Sequence, residues 1–180
     1  MFKGEKIMKQ KPQAHFLART HWDAECFDKE GKLKSKSSGD NICTDEGLNA
    51  LLNVMFLADT PVEAWYIALF GNDHTPTGAE TYAVPVFTEC VTYSGTRRLF
   101  DGTLGSKVVT NSAAKAEFAI TDTATVYGAA LVGGGTSPDV AGDTAGGGII
   151  YAVAPLAEAI AVVEGDTLKI TCTITASDVT

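Results

Sequence analysis

The stretch NICTDEGLNALLNVMFLADTPVEAWYIALFG, from Asn41 to Gly71, admits few architectures. Its first half reads as one short helix, about 45–58. Leu48, Leu51, Leu52, Met55 and Phe56 recur at i, i+3, i+4, i+7 and i+8, the spacing of a single apolar stripe. Thr44 or Asp45 can cap it, and Asp45 and Glu46 put negative charge at the positive end of the helix dipole. Asp59-Thr60-Pro61 stops it, because proline cannot continue the hydrogen-bond ladder. The second half, Trp65-Tyr66-Ile67-Ala68-Leu69-Phe70, is apolar throughout and bounded by Gly71-Asn72-Asp73, which predicts a strand buried on both faces. One helix laid by its stripe against a sheet is the expected centre of the fold.

The flanking segments read as strands and turns. Ala14 to Arg19 is an extended piece, and Trp22 to Phe27 followed by Asp28-Lys29-Glu30-Gly31-Lys32 is a hairpin. From Val86 to Tyr93, alternation puts Phe87, Val91 and Tyr93 on one face and Thr88, Cys90 and Thr92 on the other, outward one. Ala114, Ala116, Phe118 and Ile120 mark a half-exposed strand. Thr123 to Val132 is another, with Gly128 where something packs close. Ile149 to Pro155 and Ile160 to Val163 are short apolar strands. The clearest strand is Thr167 to Ala176, with Leu168, Ile170, Cys172 and Ile174 inward and threonines outward. Gly71–Ala79 and the sixteen residues Gly133–Gly148 are loops, the second a mobile segment or an inter-subunit strap. The fold class is mainly β: an antiparallel β-sandwich or jelly-roll-like domain over 25–180, one short helix, and an extended basic N-terminal arm over 1–24.

Charge separates arm from body. Of fourteen Lys and Arg, nine fall within residues 1–36 against five acids, whereas the remainder holds five against seventeen. Lys3, Lys6, Lys9, Lys11 and Arg19 therefore suit docking on an acidic surface, that of a neighbouring copy included, or belong to a solvated, frayed terminus. The body has no basic stripe for nucleic acid, no run of 18 apolar residues to span a membrane, and Met1–Lys6 lacks the apolar core of a secretion signal. Synthesis in the cytosol is expected.

No catalytic, cofactor or metal site emerges. Cys26, Cys43, Cys90 and Cys172 form no Cys-x-x-Cys pair, and His15, His21 and His74 have no partners at metal spacing. Gly-x-Ser-x-Gly is absent, and the glycine-rich loop lacks the Gly-Lys-Ser/Thr ending of a phosphate loop. Cys172 reads as a buried thiol and Cys90 as a reactive one. Cys26 and Cys43 flank the arm-to-body junction and either pair in an oxidising medium or stay reduced. Arg97-Arg98 is the one basic cluster of the acidic body, either ordinary exposed charge or an anchor onto a partner's carboxylates.

A set of short motifs resembles a known family. They are Asp28-Lys29-Glu30-Gly31-Lys32, Asn41-Ile42, Gly47-Leu48-Asn49 with Leu51-Leu52, Trp65 to Leu69, and Tyr93 with Arg97. Asn111-Ser112 with Phe118, Gly128-Ala129-Ala130-Leu131 and Gly165-Asp166-Thr167-Leu168 complete it. In this order, over roughly residues 25–177, the chain is similar to small accessory virion proteins of tailed bacteriophages. The resemblance implies a non-enzymatic structural protein, made in the host cytoplasm and carried on the virion. Its implied partners are phage capsid or neck proteins and further copies of itself, and capsid decoration or cement is the favoured role. Neck, collar or tail-fibre placement is the alternative. A glycan- or receptor-binding module, gripping its ligand with the loops at 71–82 and 133–148, is the reading from a different class.

Overall fold

The computed structural model describes residues 15–179, with side chains over 18–177. Its first strand, β1 (His15–Phe27), turns at Asp28 and returns as β2 (Leu33–Asp40). The Asp28 carboxylate accepts the N–H groups of Glu30 and Lys32, and Gly31 takes φ +79°, the left-handed conformation this turn requires. Then come β3 (Ile42–Cys43), α1 (Asp45–Phe56), β4 (Trp65–Phe70), β5 (Arg98–Leu99), β6 (Thr103–Leu104) and β7 (Val108–Thr110). β8 (Ala116–Ala119), β9 (Ala124–Gly133), β10 (Ile149–Val162) and β11 (Thr167–Val179) complete the order.

Every pairing between these strands is antiparallel, and they form two sheets. One runs β2-β1-β11-β7-β6, with β8 also bound to β11; the other runs β3-β10-β9-β4-β5. The main core lies between them, where Trp22 of β1, Leu168 and Ile170 of β11, and Ile67 and Leu69 of β4 are buried. A second apolar layer, including Ala68, Phe70, Tyr82 and Phe87, covers the outer face of the second sheet. β4 is thus buried on both faces, as its unbroken apolar run predicts. Gly128 of β9 meets the expected close approach: a Cβ there would stand 2.0 Å from the Phe70 ring and 2.3 Å from the Ala154 carbonyl oxygen.

β11 keeps its alternation, with Leu168, Ile170 and Cys172 buried, although Thr171 on the outward side is buried too. Other segments differ from the sequence reading for physical reasons. Ile149–Pro155 and Ile160–Val163 are one strand, β10, whose register with β9 shifts between Pro155 and Ile160; proline has no N–H for the ladder. Residues 86–93 make only isolated bridges, Phe70 to Glu89 and Tyr93 to Ile120. Val86 takes φ +69°, and burial falls on every third residue, Phe87, Cys90 and Tyr93, while Val91 is exposed. β1 crosses the expected boundary at residues 24 and 25, lies between β2 and β11, and buries Trp22 and Ala24.

Candidate docking surface

The predicted helix forms, with Thr44 as its cap: the Thr44 hydroxyl accepts the Gly47 N–H at 2.9 Å and donates to the Ile150 carbonyl. The Glu46 carboxylate accepts the N–H groups of Tyr82 at 2.9 Å and Ile150 at 2.7 Å, and the Asp45 N–H donates to the Gly78 carbonyl at 2.9 Å. The first turn of α1 is therefore fixed on β10 and on the loop after β4. At Gly47 the contact is backbone on backbone, since a Cβ would stand 2.6 Å from both Cα and O of Tyr151.

That contact sets the rotation of the helix. Ala50, Leu51 and Val54, three, four and seven residues beyond Gly47, turn toward the body. They line a groove of about 350 Å³ together with Trp65, Tyr151 and Ile174. The stripe predicted to face the sheet is correspondingly displaced by one position. Leu48 is 36% exposed, Leu52 53%, Met55 65% and Phe56 75%, and Leu57 at the helix end is 74% exposed. At about 100° per residue, Leu48, Leu52, Met55 and Phe56 share one flank, bordered by Asn49, with Asn53 and Glu46 beyond it. This flank is the candidate docking surface, and the sequence reading had turned it toward the sheet. Its signal was Gly47 with Ala50, small residues at i and i+3 that allow close approach.

The candidate arginines do not form a surface. Arg97 is buried, and its Nε and Nη2 donate to the two Glu89 oxygens at 2.8 and 2.7 Å. Its Nη1 donates to the Pro138 carbonyl at 3.0 Å, and its backbone N–H to the Asp139 carbonyl at 2.7 Å. Arg98 is half-buried, donates to the carbonyls of Glu117 and Ser94, and stands 5.8 Å over the Phe118 ring. The two side chains bond within the chain because Glu89 and the carbonyls of the adjoining loops converge on them.

These contacts fasten the glycine-rich loop to its own body. Glu89 accepts the Gly142 N–H, and Asp143 accepts the Tyr82 hydroxyl and the N–H groups of Ser137 and Ala145. The Ser137 N–H, with Ala145 and Tyr82, holds the Asp143 carboxyl below its usual range. Tyr82, the aromatic that a glycan-gripping end would display, is 3% exposed and packs against Gly135 and Gly148.

The thiols are separated. Cys43 Sγ lies 3.8 Å from the Ala18 carbonyl, whereas Cys26 Sγ lies 3.6 Å from an Asp166 oxygen. Ala18 and Cys26 stand eight positions apart on β1, about 27 Å of strand. Cys26 and Cys43 therefore do not meet, and all four cysteines are free. Burial and the neighbouring Asp166 charge push the Cys26 thiol up to about 11, and burial raises Cys43 and Cys172 as well. Cys90, expected to face outward, is 6% exposed in the core, because the irregular 86–93 segment turns every third residue inward.

Of the candidate arm residues, Arg19 is exposed on β1 and Lys3, Lys6, Lys9 and Lys11 lie outside the described residues. Among the described residues no group of three or more His, Cys, Asp and Glu stands together as a metal site, and no helix is long and apolar enough to cross a membrane. The chain matches no family model, no curated protein and no solved structure.

Proposed function

We propose that the chain is a structural virion protein of a tailed bacteriophage, seated on the assembled capsid as a decoration or cement protein by the apolar flank of α1. The observation that carries this reading is the flank itself: Leu48, Leu52, Met55 and Phe56, on one side of the helix, are all exposed to water. Contiguous apolar surface of this kind marks a site that another chain covers. The helix is also a rigid presenter, since Thr44, Glu46 and Gly47 fix its first turn on the body, so little ordering entropy is lost on binding. The virion setting comes from the motif resemblance. A neck or collar position would use the same flank, and the copy number per particle, many on a shell and few at a neck, separates the two.

The test is binding of purified protein to particles that lack it. Leu52→Ser with Phe56→Ser lowers retention by about a hundredfold or more, the scale of two buried hot-spot side chains. Electron microscopy of decorated particles then places α1 against the neighbouring protein. Retention of the doubly altered protein equal to that of the parent overturns the reading.

A further inference from the structure

Beneath α1 the packing is incomplete. The helix is bonded to the body at its start, through Thr44, Asp45 and Glu46, and Gly47 rests on the Tyr151 backbone. Past that turn, Leu51 and Val54 face inward yet are only half-buried. The space they face is the groove of about 350 Å³, and its walls come from α1 and from both sheets. Trp65 and Tyr151 belong to one sheet, Val109 and Ile174 to the other. Trp65 and Ile174 also pack on the main core, so the groove is a side opening of that core. Protein interiors are close-packed, and side chains around an unfilled apolar hollow forfeit contacts that a guest restores.

Size and charge select the guest. A cavity of about 150 Å³ lined by aliphatic and aromatic side chains holds benzene, so about twice that volume takes a chain of about eight to ten carbons. Asp59, exposed at the rim, is the carboxylate that lines the groove, and its Oδ1 accepts the Thr60 N–H at 2.8 Å. Among the described residues no Lys, Arg or His lines it. Residues 41–96 hold no Lys or Arg, and Glu63, next in the chain to the lining residue Val62, is exposed as well. A carboxylate or phosphate head would meet like charge here, whereas an ammonium head meets Asp59.

We propose that this groove binds a small amphiphile with a hydrocarbon tail and a cationic head, the tail between Leu51, Trp65 and Ile174 and the head at Asp59. Among the described residues the bonds from α1 to the body come from residues 44–46, so widening of the groove around a tail breaks none of them. The site lies on the body side of α1, away from the exposed Leu52 and Phe56, and does not depend on the docking surface.

The test titrates the full-length protein at neutral pH with octylammonium, octan-1-ol and octanoate, each below its micelle concentration, and reads side-chain methyl shifts by NMR. Octylammonium is expected to saturate, with the shifts at Leu51, Val54 and Ile174. Each CH2 added between butylammonium and octylammonium tightens binding about fourfold, the transfer value of one buried CH2. Octylammonium binds about fivefold tighter than octanoate, the scale of one exposed ion pair. Asp59→Asn removes that preference and leaves octan-1-ol binding unchanged. Val54→Phe fills the groove and abolishes the shifts at Leu51 and Ile174; should that variant not fold, the titration of the parent decides alone. Binding that does not saturate, shifts confined to Leu48, Leu52 and Met55, or octanoate bound as tightly as octylammonium overturns the proposal. Full affinity in a folded Val54→Phe overturns it as well.

Discussion

α1 shows apolar side chains to water, whereas the glycine-rich loop between β9 and β10 turns polar groups inward. Helix and loop each reverse what their composition promises, and in both a backbone contact decides. At Gly47 the absence of a Cβ lets α1 sit directly on β10, and that contact selects which residues face the body. In the loop, Gly134, Gly135, Gly142, Gly146 and Gly147 have φ between +65° and +82°, so the chain doubles back on itself. Its carbonyls and N–H groups then meet Arg97, Glu89 and Asp143. Polar groups of the loop are bonded inside the molecule, and apolar side chains of the helix stay exposed.

The sharpest way to break the comparison is at the buried ion pair. Arg97→Ala strands Glu89, whose side chain is 9% exposed, and removes the donor to Pro138. A cost of about 3–5 kcal/mol is expected in urea unfolding, with new protease cuts confined to 134–148. A loss below about 1 kcal/mol would mean that the loop holds without its arginine. Gly47→Ala tests the other side. Alanine is the better helix former by about 1 kcal/mol, yet its methyl would overlap the Tyr151 backbone. The net expectation is destabilisation by about 1–3 kcal/mol, the range for overpacking. If the variant is instead more stable, the account of the helix's rotation fails.

These two sites also show what a sequence can disclose. β11 was legible because its burial alternates, as Leu168, Ile170 and Cys172 show, and β4 because an unbroken apolar run is buried on both faces, as Ile67 to Phe70 are. The helix was legible as a helix, but not its orientation. An apolar stripe at 48, 51, 52, 55 and 56 and an inward stripe at 47, 50, 51 and 54 share the same period, and only the fit against Tyr151 distinguishes them. The Arg97 partner was not legible at all. Glu89 is eight residues away across an irregular segment in which Val86 has positive φ, so no period relates the two. The outward Cys90 failed for the same reason.

Acid offers a milder perturbation that acts on both regions. Burial opposes the Glu80 charge, but N–H groups of Thr77 and Gly78 and the His74 ring outweigh it and hold the carboxyl below its ordinary value. Asp143 is lowered as well, chiefly by the Ser137 N–H. A depressed carboxyl contributes its full stability above the unfolded-state value and loses it as pH falls through the folded one. Both anchors are therefore expected to be intact at neutral pH and to loosen below about pH 4. Hydrogen exchange should quicken first at Thr77 and Gly78 beside α1 and at Ser137 in the loop. Glu80→Gln should remove the acid dependence at Thr77 and Gly78 while leaving it at Ser137. Equal loss at all three would show that the regions titrate as one unit.

The smallest effect is the most discriminating for the helix, because it compares adjacent residues of identical chemistry. Leu51 lines the groove beneath α1, and Leu52 is 53% exposed on the flank. Leu51→Ala removes contacts that are only half-buried, so a cost of about 1 kcal/mol is expected, below the range for full core burial. Leu52→Ala removes exposed methyls and installs the best helix former, so stability should stay within about 0.5 kcal/mol of the parent. Particle retention should rank the pair in the opposite order, with Leu52→Ala the weaker binder. Unfolding and retention that rank the two leucines alike would mean that one face of α1 serves both the core and the partner, and the separation of the two flanks would not stand.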